Sequence, residues 1–292
     1  MSKNYVRQKY FFILLLAILI SALTIGCNLL SNHSTKTNQI DSNKMIVHYI
    51  DVGQGDSILI QVNNKNLLID AGPKSDKKKL LDYLSSLILD KLDYVIVTHP
   101  HEDHIGNMAY VISDYNVLAF YAPKVQSTTR TFEKMVESLK SKNLKINVIK
   151  KGTDSINLGK NTKVTVFSPN KDFYEDLNNY SPVIKIEYGK TSFLFTGDAQ
   201  KDVEKEILAT NEDISADILK VGHHGSSTST TKDFLNKVNP SIGVISVGQD
   251  NTYNHPNDDT IKRLNENKVT IYRTDKDGTI ILSSDGSKIT KE

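Results

Sequence analysis

The sequence has 292 residues, of which 38% are hydrophobic and 24% charged, as expected for a globular protein with a sizeable core and one large or two small domains. Its single cysteine excludes a disulfide framework and a zinc site built on thiolates. With 36 basic and 34 acidic residues the net charge is +2, and removing the three basic residues ahead of residue 10 leaves 33 against 34. This balance does not require a nucleic-acid partner, although a local basic groove is compatible with it.

The amino terminus has the pattern of a secretory signal. An almost wholly apolar run, 10–25, follows the basic residues, and Gly26 and Cys27 follow that run, which is short for a bilayer span of about 20 residues. Cys27 stands where bacterial lipoproteins are cleaved and lipidated. Residues 1–27 are therefore predicted to be a signal peptide with a lipidated cysteine, and an uncleaved membrane anchor is the alternative. Residues 28–44, rich in Asn, Ser, Thr and Lys, are predicted to be a flexible linker, so the protein is tethered to the bacterial membrane outside the cytoplasm.

Hydrophobic periodicity predicts strands and helices from residue 45 to the end of the chain. The predicted strands are 45–51, 57–62, 67–70, 93–98, 117–121, 145–149, 163–167, 183–188, 192–196, 217–221, 242–247, 269–273 and 279–282. The predicted helices are 76–89, 105–113, 129–142, 230–238 and 258–264. A polar and aromatic loop, 168–181, has a length that is typical of functional loops.

Three of the eight histidines lie within six positions, directly after the predicted strand 93–98. His99 and His101 alternate across an extended backbone, so both can reach one metal ion, whereas Asp103 and His104 lie past the turn and can bind a second. Imidazole nitrogens and carboxylates suit Zn²⁺, Mn²⁺ or Fe. A polar loop at the mouth of a sheet is the alternative, but such clusters are typical of metal sites.

Four further motifs lie at the ends of predicted strands. They are Asp51-Val52-Gly53-Gln54-Gly55-Asp56-Ser57, Leu68-Ile69-Asp70-Ala71-Gly72, Phe195-Thr196-Gly197-Asp198-Ala199 and Val221-Gly222-His223-His224-Gly225-Ser226. Together with the histidine cluster they resemble the metallo-β-lactamase fold, and in particular the hydrolase domain of ComEC-type competence proteins. The resemblance covers residues 45–292 and implies a single α/β domain, a four-layer αββα sandwich with the metals at one edge.

The resemblance also implies roles for individual residues. Asp198 would bridge two metal ions, and Asp70 would orient the histidine cluster through hydrogen bonds without binding metal. One histidine of the 223–224 pair would complete the ligands of the second metal. His223 is favoured because it leaves the strand first, and His224 is the alternative. The predicted metal ligands are His99, His101, Asp103, His104, Asp198 and His223, for two divalent ions that are Zn²⁺ or, as an alternative, Mn²⁺.

Many enzymes of this fold supply a further histidine before the bridging aspartate, but no histidine occurs between His104 and His223. Asn178-Asn179-Tyr180-Ser181 takes that place and resembles the ComEC-type pattern. Asp103 is predicted to orient the nucleophile, and His255 to contact a phosphate or protonate a leaving group, with a loop histidine of no role as the alternative. The predicted substrate contacts are Gln54, Asp56, Asn179, Ser181, His224 and Ser226.

These features predict metal-assisted hydrolysis, in which cations make hydroxide available near neutral pH. The favoured function is a phosphodiesterase or nuclease that acts on DNA or another extracellular nucleic acid. A hydrolase of lactones, thioesters or β-lactams is the first alternative, since a fold alone does not choose a bond. A surface lipoprotein that binds metal without catalysis is the second.

Overall fold

Two β-sheets form the centre of the protein, which a computed structural model describes for residues 43–292. One sheet has eight strands in the order β14-β13-β1-β2-β3-β4-β5-β6, and the other has six in the order β12-β11-β10-β9-β8-β7. In chain order the strands are β1 (Met45–Tyr49), β2 (Ile58–Val62), β3 (Lys65–Ile69), β4 (Leu92–Ile96), β5 (Val117–Ala122), β6 (Ile146–Val148), β7 (Thr162–Val166), β8 (Ile184–Tyr188), β9 (Thr191–Phe195), β10 (Ile218–Lys220), β11 (Ile242–Ile245), β12 (Thr270–Arg273), β13 (Ile280–Ser284) and β14 (Ile289–Lys291).

Helices cover the outer face of each sheet. In chain order they are α1 (Lys77–Ser86), α2 (Glu102–Ile105), α3 (Met108–Asp114), α4 (Arg130–Ser141), α5 (Lys201–Ala209), α6 (Lys232–Val238), α7 (Asp258–Glu266) and α8 (Thr274–Asp277). Apolar residues of α1, α3 and α4 pack on the eight-stranded sheet, and those of α5, α6 and α7 pack on the six-stranded sheet. Thr129 and Asn257 begin α4 and α7 by accepting hydrogen bonds from backbone N–H groups of the first turn.

A third hydrophobic cluster fills the space between the two sheets. It includes Val47 and Ile60 from the first sheet and Phe193, Phe195 and Val244 from the second, all nearly or completely buried. Burying a side chain of this size stabilises the fold by about 1.5–3 kcal/mol. The order helix, sheet, sheet, helix confirms the predicted four-layer αββα sandwich.

Each sheet changes from antiparallel to parallel pairing along its width. Strands β3 to β6 are parallel in the first sheet, as are β9 to β12 in the second. In parallel strands the carboxyl ends lie at one edge of the sheet, where open α/β folds place their ligands. The segments that follow β4, β9 and β10 therefore meet at a common edge.

The observed elements depart from the predicted ones at several places, and the short helix α8 is among those that were not predicted. The predicted helix 105–113 is divided into α2 and α3, because the Asn107 amide donates hydrogen bonds to the carbonyl oxygens of Ala71 (3.1 Å) and Pro73 (2.6 Å) and fixes the chain there. Helix α5 and strand β14 were not predicted. The predicted signal peptide with Cys27, and all of the linker before residue 43, lie outside the described residues. Within 43–292, no helix is both long and apolar enough to cross a bilayer.

Candidate metal centre

Four side chains from both sheets converge at the common edge. Asp103 and His104 follow β4, Asp198 follows β9 and His224 follows β10, and each offers one ligand atom within 4.8 Å of the others. Asp198 Oδ2 lies 3.3 Å from His104 Nε2 and 3.4 Å from His224 Nε2, and Asp103 Oδ2 lies 3.3 Å from His224 Nε2. We call Asp103, His104, Asp198 and His224 the central group.

The central group fits a divalent cation. Within the described residues, His104 Nε2, His224 Nε2 and Asp198 Oδ1 are buried without a hydrogen-bond partner, although buried polar atoms normally have one. Two imidazole nitrogens and two carboxylates are donors that Zn²⁺ and Mn²⁺ accept. A cation held between these atoms would satisfy them together.

His99 and His101 lie beside the central group. His99 Nε2 is 2.9 Å from His101 Nδ1 and 3.9 Å from Asp198 Oδ2. Asp198 thus stands between this pair and the two other imidazoles. Its position is compatible with the bridging role that the resemblance implies for a second cation.

Hydrogen bonds to Nδ1 fix the rings of both central histidines. His104 Nδ1 donates to Asp70 Oδ2 at 2.8 Å, and His224 Nδ1 donates to the Ser246 carbonyl oxygen at 2.9 Å. Asp70 is fully buried and also accepts hydrogen bonds from the backbone N–H and hydroxyl of Thr98. Because Nδ1 is engaged in each ring, Nε2 is the atom turned toward the centre, which is the arrangement typical of histidines that bind metals.

Opposite charges hold the central group in its ionised form. Burial by itself lowers the pKa of each imidazole, but the neighbouring carboxylates raise the pKa of His104 well above its usual value and that of His224 to about 10. Burial raises the pKa of Asp198, but the two imidazoles more than offset this effect and hold it well below its usual value. The carboxylates of Asp103 and Asp198 thus place two negative charges at the centre. A cation bound there can replace the protons that the imidazoles carry.

The central group contains His224, the alternative of the histidine pair, while Nε2 of the favoured His223 lies 3.6 Å from Asp198 Oδ2. Both histidines have positive φ (48° and 53°), so the backbone reverses and the second ring, not the first, turns inward. The His224 side chain is 1% exposed, whereas that of His223 is 21% exposed, and His223 Nδ1 lies 3.2 Å from Thr228 Oγ1. The order in which residues leave a strand does not predict this reversal, and we assign the ligand position to His224 below.

A cleft of about 350 Å³ opens onto the central group. Of the predicted substrate contacts, Gln54 and His224 line it, as does His255. Asn178, Glu102 and Tyr253 also line it although the sequence interpretation did not select them. Asn178 directly precedes Asn179, which was the predicted substrate contact. The local sequence pattern does not distinguish which of two adjacent asparagines faces a cleft.

Four predicted substrate contacts are not among the residues that line the cleft. Asn179 Oδ1 accepts a hydrogen bond from the Gln200 backbone, and Ser181 Oγ accepts one from the Asp198 backbone. Ser226 is 5% exposed, and its hydroxyl is 3.0 Å from that of Thr228. These three side chains support the surrounding loops instead of facing solvent.

Asp56 is the fourth, and it is directed into the protein. It is 1% exposed, and its Oδ2 forms an ion pair at 2.8 Å with Nζ of Lys220, which is fully buried at the end of β10. The polar turn at 51–57 suggested an accessible carboxylate. A buried lysine in an otherwise apolar strand was the signal that could have indicated its partner, since such a charge requires one.

His255 lies at the mouth of the cleft. Its ring centroid is 5.4 Å from that of His223 and 6.3 Å from that of His224. Burial, followed by the two nearby imidazoles, lowers the pKa of His255 to about 4, so the ring is neutral at pH 7. A neutral imidazole can donate or accept one hydrogen bond at each nitrogen, and Nδ1 here is buried without a partner.

Comparison with known proteins places this geometry in context. Residues 50–249 match the family model of the metallo-beta-lactamase superfamily. The chain is 32% identical over 252 residues to ComE operon protein 3 of Bacillus subtilis (strain 168), which covers 80% of this chain and 32% of that protein. It is 30% identical over 241 residues to Recombination protein 2 of Haemophilus influenzae, with 80% and 28% covered. The chain thus spans about a third of the length of these relatives.

A solved structure shares the architecture. The metallo-beta-lactamase fold protein YhfI from Bacillus subtilis superimposes with a TM-score of 0.55, covering 82% of this chain and 99% of that one, at 14% identity. At this level of identity the likeness concerns the fold alone.

Proposed function

Because the chain belongs to the metallo-β-lactamase superfamily, a family of metal-dependent hydrolases, we propose that it hydrolyses phosphodiester bonds of nucleic acid outside the cytoplasm. The observation that carries the proposal is the central group, in which two imidazole nitrogens and one carboxylate oxygen are buried without a hydrogen bond to any described residue. The substrate class is supported by the resemblance to ComEC-type competence proteins and by the relative named Recombination protein 2.

We assign two cations to the centre, with Zn²⁺ preferred and Mn²⁺ as the alternative. The central group would hold one, and His99 and His101 would hold the other, with Asp198 shared between them. When bound, such cations make hydroxide available near neutral pH and neutralise charge that develops on the phosphorus oxygens.

Side chains of the protein position the metal ligands and the reacting groups. Asp70 and the Ser246 carbonyl fix the imidazoles of His104 and His224, so the ligand nitrogens need no reorganisation when a cation enters. Asp103 Oδ2 faces the centre from a side chain that is 29% exposed, and this places a carboxylate beside an incoming water molecule. His255 at the mouth provides a neutral hydrogen-bonding group for the phosphate or the leaving oxygen.

We further propose that residues 1–27 direct the protein to the outer side of the membrane and that Cys27 carries a lipid anchor there. The apolar run ahead of this cysteine supports the proposal. The Cys27→Ser variant is expected to leave the membrane fraction or to remain as the longer, uncleaved precursor. Retention of a mature-length variant on the membrane would exclude lipidation as the anchor.

The activity is tested with the full chain, purified in detergent and loaded with Zn²⁺ or Mn²⁺. Hydrolysis of bis-p-nitrophenyl phosphate and of a single-stranded DNA oligonucleotide should be metal-dependent. Asp198→Ala and His224→Ala should each reduce the rate at least about 100-fold, because each removes a ligand of the centre. Asp154→Ala, at an exposed aspartate of another loop, is the control and should keep wild-type activity.

Bound metal is measured in parallel by elemental analysis. A protein that binds metal but cleaves neither phosphodiester, while it hydrolyses a lactone, a thioester or a β-lactam, would overturn the proposed substrate class. A protein that binds metal and cleaves none of these would support a binding role instead.

A further inference from the structure

An exposed aromatic ring stands at the mouth of the metal cleft. The described residues include six large hydrophobic side chains that are substantially exposed, and Tyr253 is the one among them that lines this cleft. Its side chain is 65% exposed. An aromatic side chain in this position contributes little to the hydrophobic core and leaves most of its surface available for a contact in the cleft.

The loop that carries Tyr253 is held in one conformation by Asn251. The Asn251 amide donates hydrogen bonds to the carbonyl oxygens of Gly248 (3.0 Å) and His255 (2.6 Å). Its Oδ1 accepts hydrogen bonds from the backbone N–H groups of Tyr253 (3.2 Å) and His255 (3.1 Å). Gly248 N also donates to Gln54 Oε1, which ties the loop to the opposite wall. The aromatic ring is thus presented on a fixed support.

Stacked rings lead from Tyr253 toward the central group. The Tyr253 and His255 centroids are 5.8 Å apart with an angle of 25° between the ring planes. His255 in turn stacks on His224 at 6.3 Å and 28°. The Tyr253 ring thus lies nearly parallel to that of His255, and its high exposure leaves area on which a further planar group can stack.

The charges of the residues that line the cleft favour an uncharged contact between the protein and its substrate. Among the described residues that line it, none is Lys or Arg, while Glu102, Asp103 and Asp198 are acidic. Proteins that hold nucleic acid by its phosphates alone rely on lysine and arginine and release counterions on binding. In this lining the positive charge near a phosphate would come from the cations of the centre, so additional affinity would come from uncharged contacts. Stacking of a base on an aromatic side chain is worth about 5- to 150-fold in affinity.

We propose that Tyr253 is a stacking subsite for a nucleobase next to the phosphodiester held at the central group. The proposal rests on the proposed phosphodiesterase function and deepens it, because it specifies single-stranded nucleic acid as the substrate. In a duplex the bases stack on one another and cannot reach such a ring without being extruded, whereas the bases of a single strand are accessible.

Two single-stranded DNA oligonucleotides of equal length test the subsite with the metal-loaded full chain. One carries ordinary bases, and the other carries abasic tetrahydrofuran sites with the same phosphates. For the ordinary oligonucleotide, Tyr253→Ala should raise KM about 5- to 150-fold with little change in kcat, and Tyr253→Phe should restore the wild-type KM. For the abasic oligonucleotide, wild type and Tyr253→Ala should have the same high KM. Phe173→Ala is the matched control at an exposed aromatic that does not line the cleft, and it should behave as wild type.

Unchanged kinetics of Tyr253→Ala on the ordinary oligonucleotide, or an equal loss on both oligonucleotides, would overturn the stacking proposal while leaving phosphodiester hydrolysis established. If the wild type cleaves neither oligonucleotide and no other phosphodiester, the proposed function fails separately. Fluorescence anisotropy then still decides the subsite, because equal affinity of wild type and Tyr253→Ala for the ordinary strand refutes stacking.

Discussion

A buried ion pair links the two sheets below the metal centre. Lys220, on β10 of the six-stranded sheet, is fully buried and places Nζ 2.8 Å from Oδ2 of Asp56, which lies just before β2 of the eight-stranded sheet. Nζ also donates to the Val221 carbonyl oxygen at 3.2 Å. No other ion pair of Lys220 occurs within the described residues. Removing the charge of Lys220 leaves the buried Asp56 carboxylate with His224, whose Nδ1 lies 3.5 Å from Asp56 Oδ1, as its remaining charged neighbour. Removing Asp56 leaves the Lys220 charge buried without an ion pair to the part of the chain that the structure describes.

Lys220→Met tests the consequence of breaking this pair. Methionine retains most of the apolar length of lysine, so packing is largely preserved while the charge is lost. The Asp56 carboxylate then remains buried with only the more distant His224 imidazole as a charged neighbour, and we expect the free energy of unfolding to fall by up to about 3–5 kcal/mol. In the Lys220→Met, Asp56→Leu double variant no charge is left unpaired. Its stability should return to within about 1 kcal/mol of wild type, or exceed it.

The measurement is urea unfolding of the full chain with a chelator present, so that bound metal does not contribute to the result. Lys78→Met is the control, because Lys78 is 89% exposed and pairs with Asp82 at the surface, where an ion pair contributes little. A loss below about 1 kcal/mol for Lys220→Met would refute the reasoning. So would a double variant as unstable as the single one, since packing and not charge would then be responsible.

Burial lowers the pKa of His48 to about 4, so protonation opposes folding as the pH falls below the unfolded-state value near 6.5. Relative to wild type, His48→Gln should gain about 2 kcal/mol in urea unfolding between pH 7.5 and pH 5, and parallel pH profiles would contradict this. Gly55→Ala should lower the melting temperature more than Gly152→Ala, because an added Cβ at Gly55 would lie 2.2 Å from the Asp103 carbonyl oxygen whereas nothing lies within 4 Å at Gly152. Both glycines have positive φ, so equal losses would show that backbone strain alone is responsible. Asp70→Asn should weaken Zn²⁺ binding about 10- to 100-fold in chelator competition, and wild-type affinity would exclude its orienting role.

The local pattern of hydrophobic residues was sufficient to predict most of the strands and helices. Alternation of apolar residues in segments such as Met45–Tyr49 depends only on which face of a strand is buried, and this can be read from neighbouring residues. The same holds for the amphipathic helix Arg130–Ser141. Helix α5 was missed even though Val203 and Ile207 face the core, because its other positions are mostly charged and the segment is short.

The sequence alone determined the metal-binding character of the chain, because His99, His101, Asp103 and His104 are close in the sequence and Asp198 follows a recognisable buried strand. Tertiary structure decided which neighbouring side chains complete the site. A backbone reversal turns His224 inward instead of His223, contact between the two sheets buries Asp56 against Lys220, and a loop held by Asn251 brings Tyr253 to the cleft. These placements depend on φ values and on partners far away in the sequence, which the spacing of residues along one segment cannot specify.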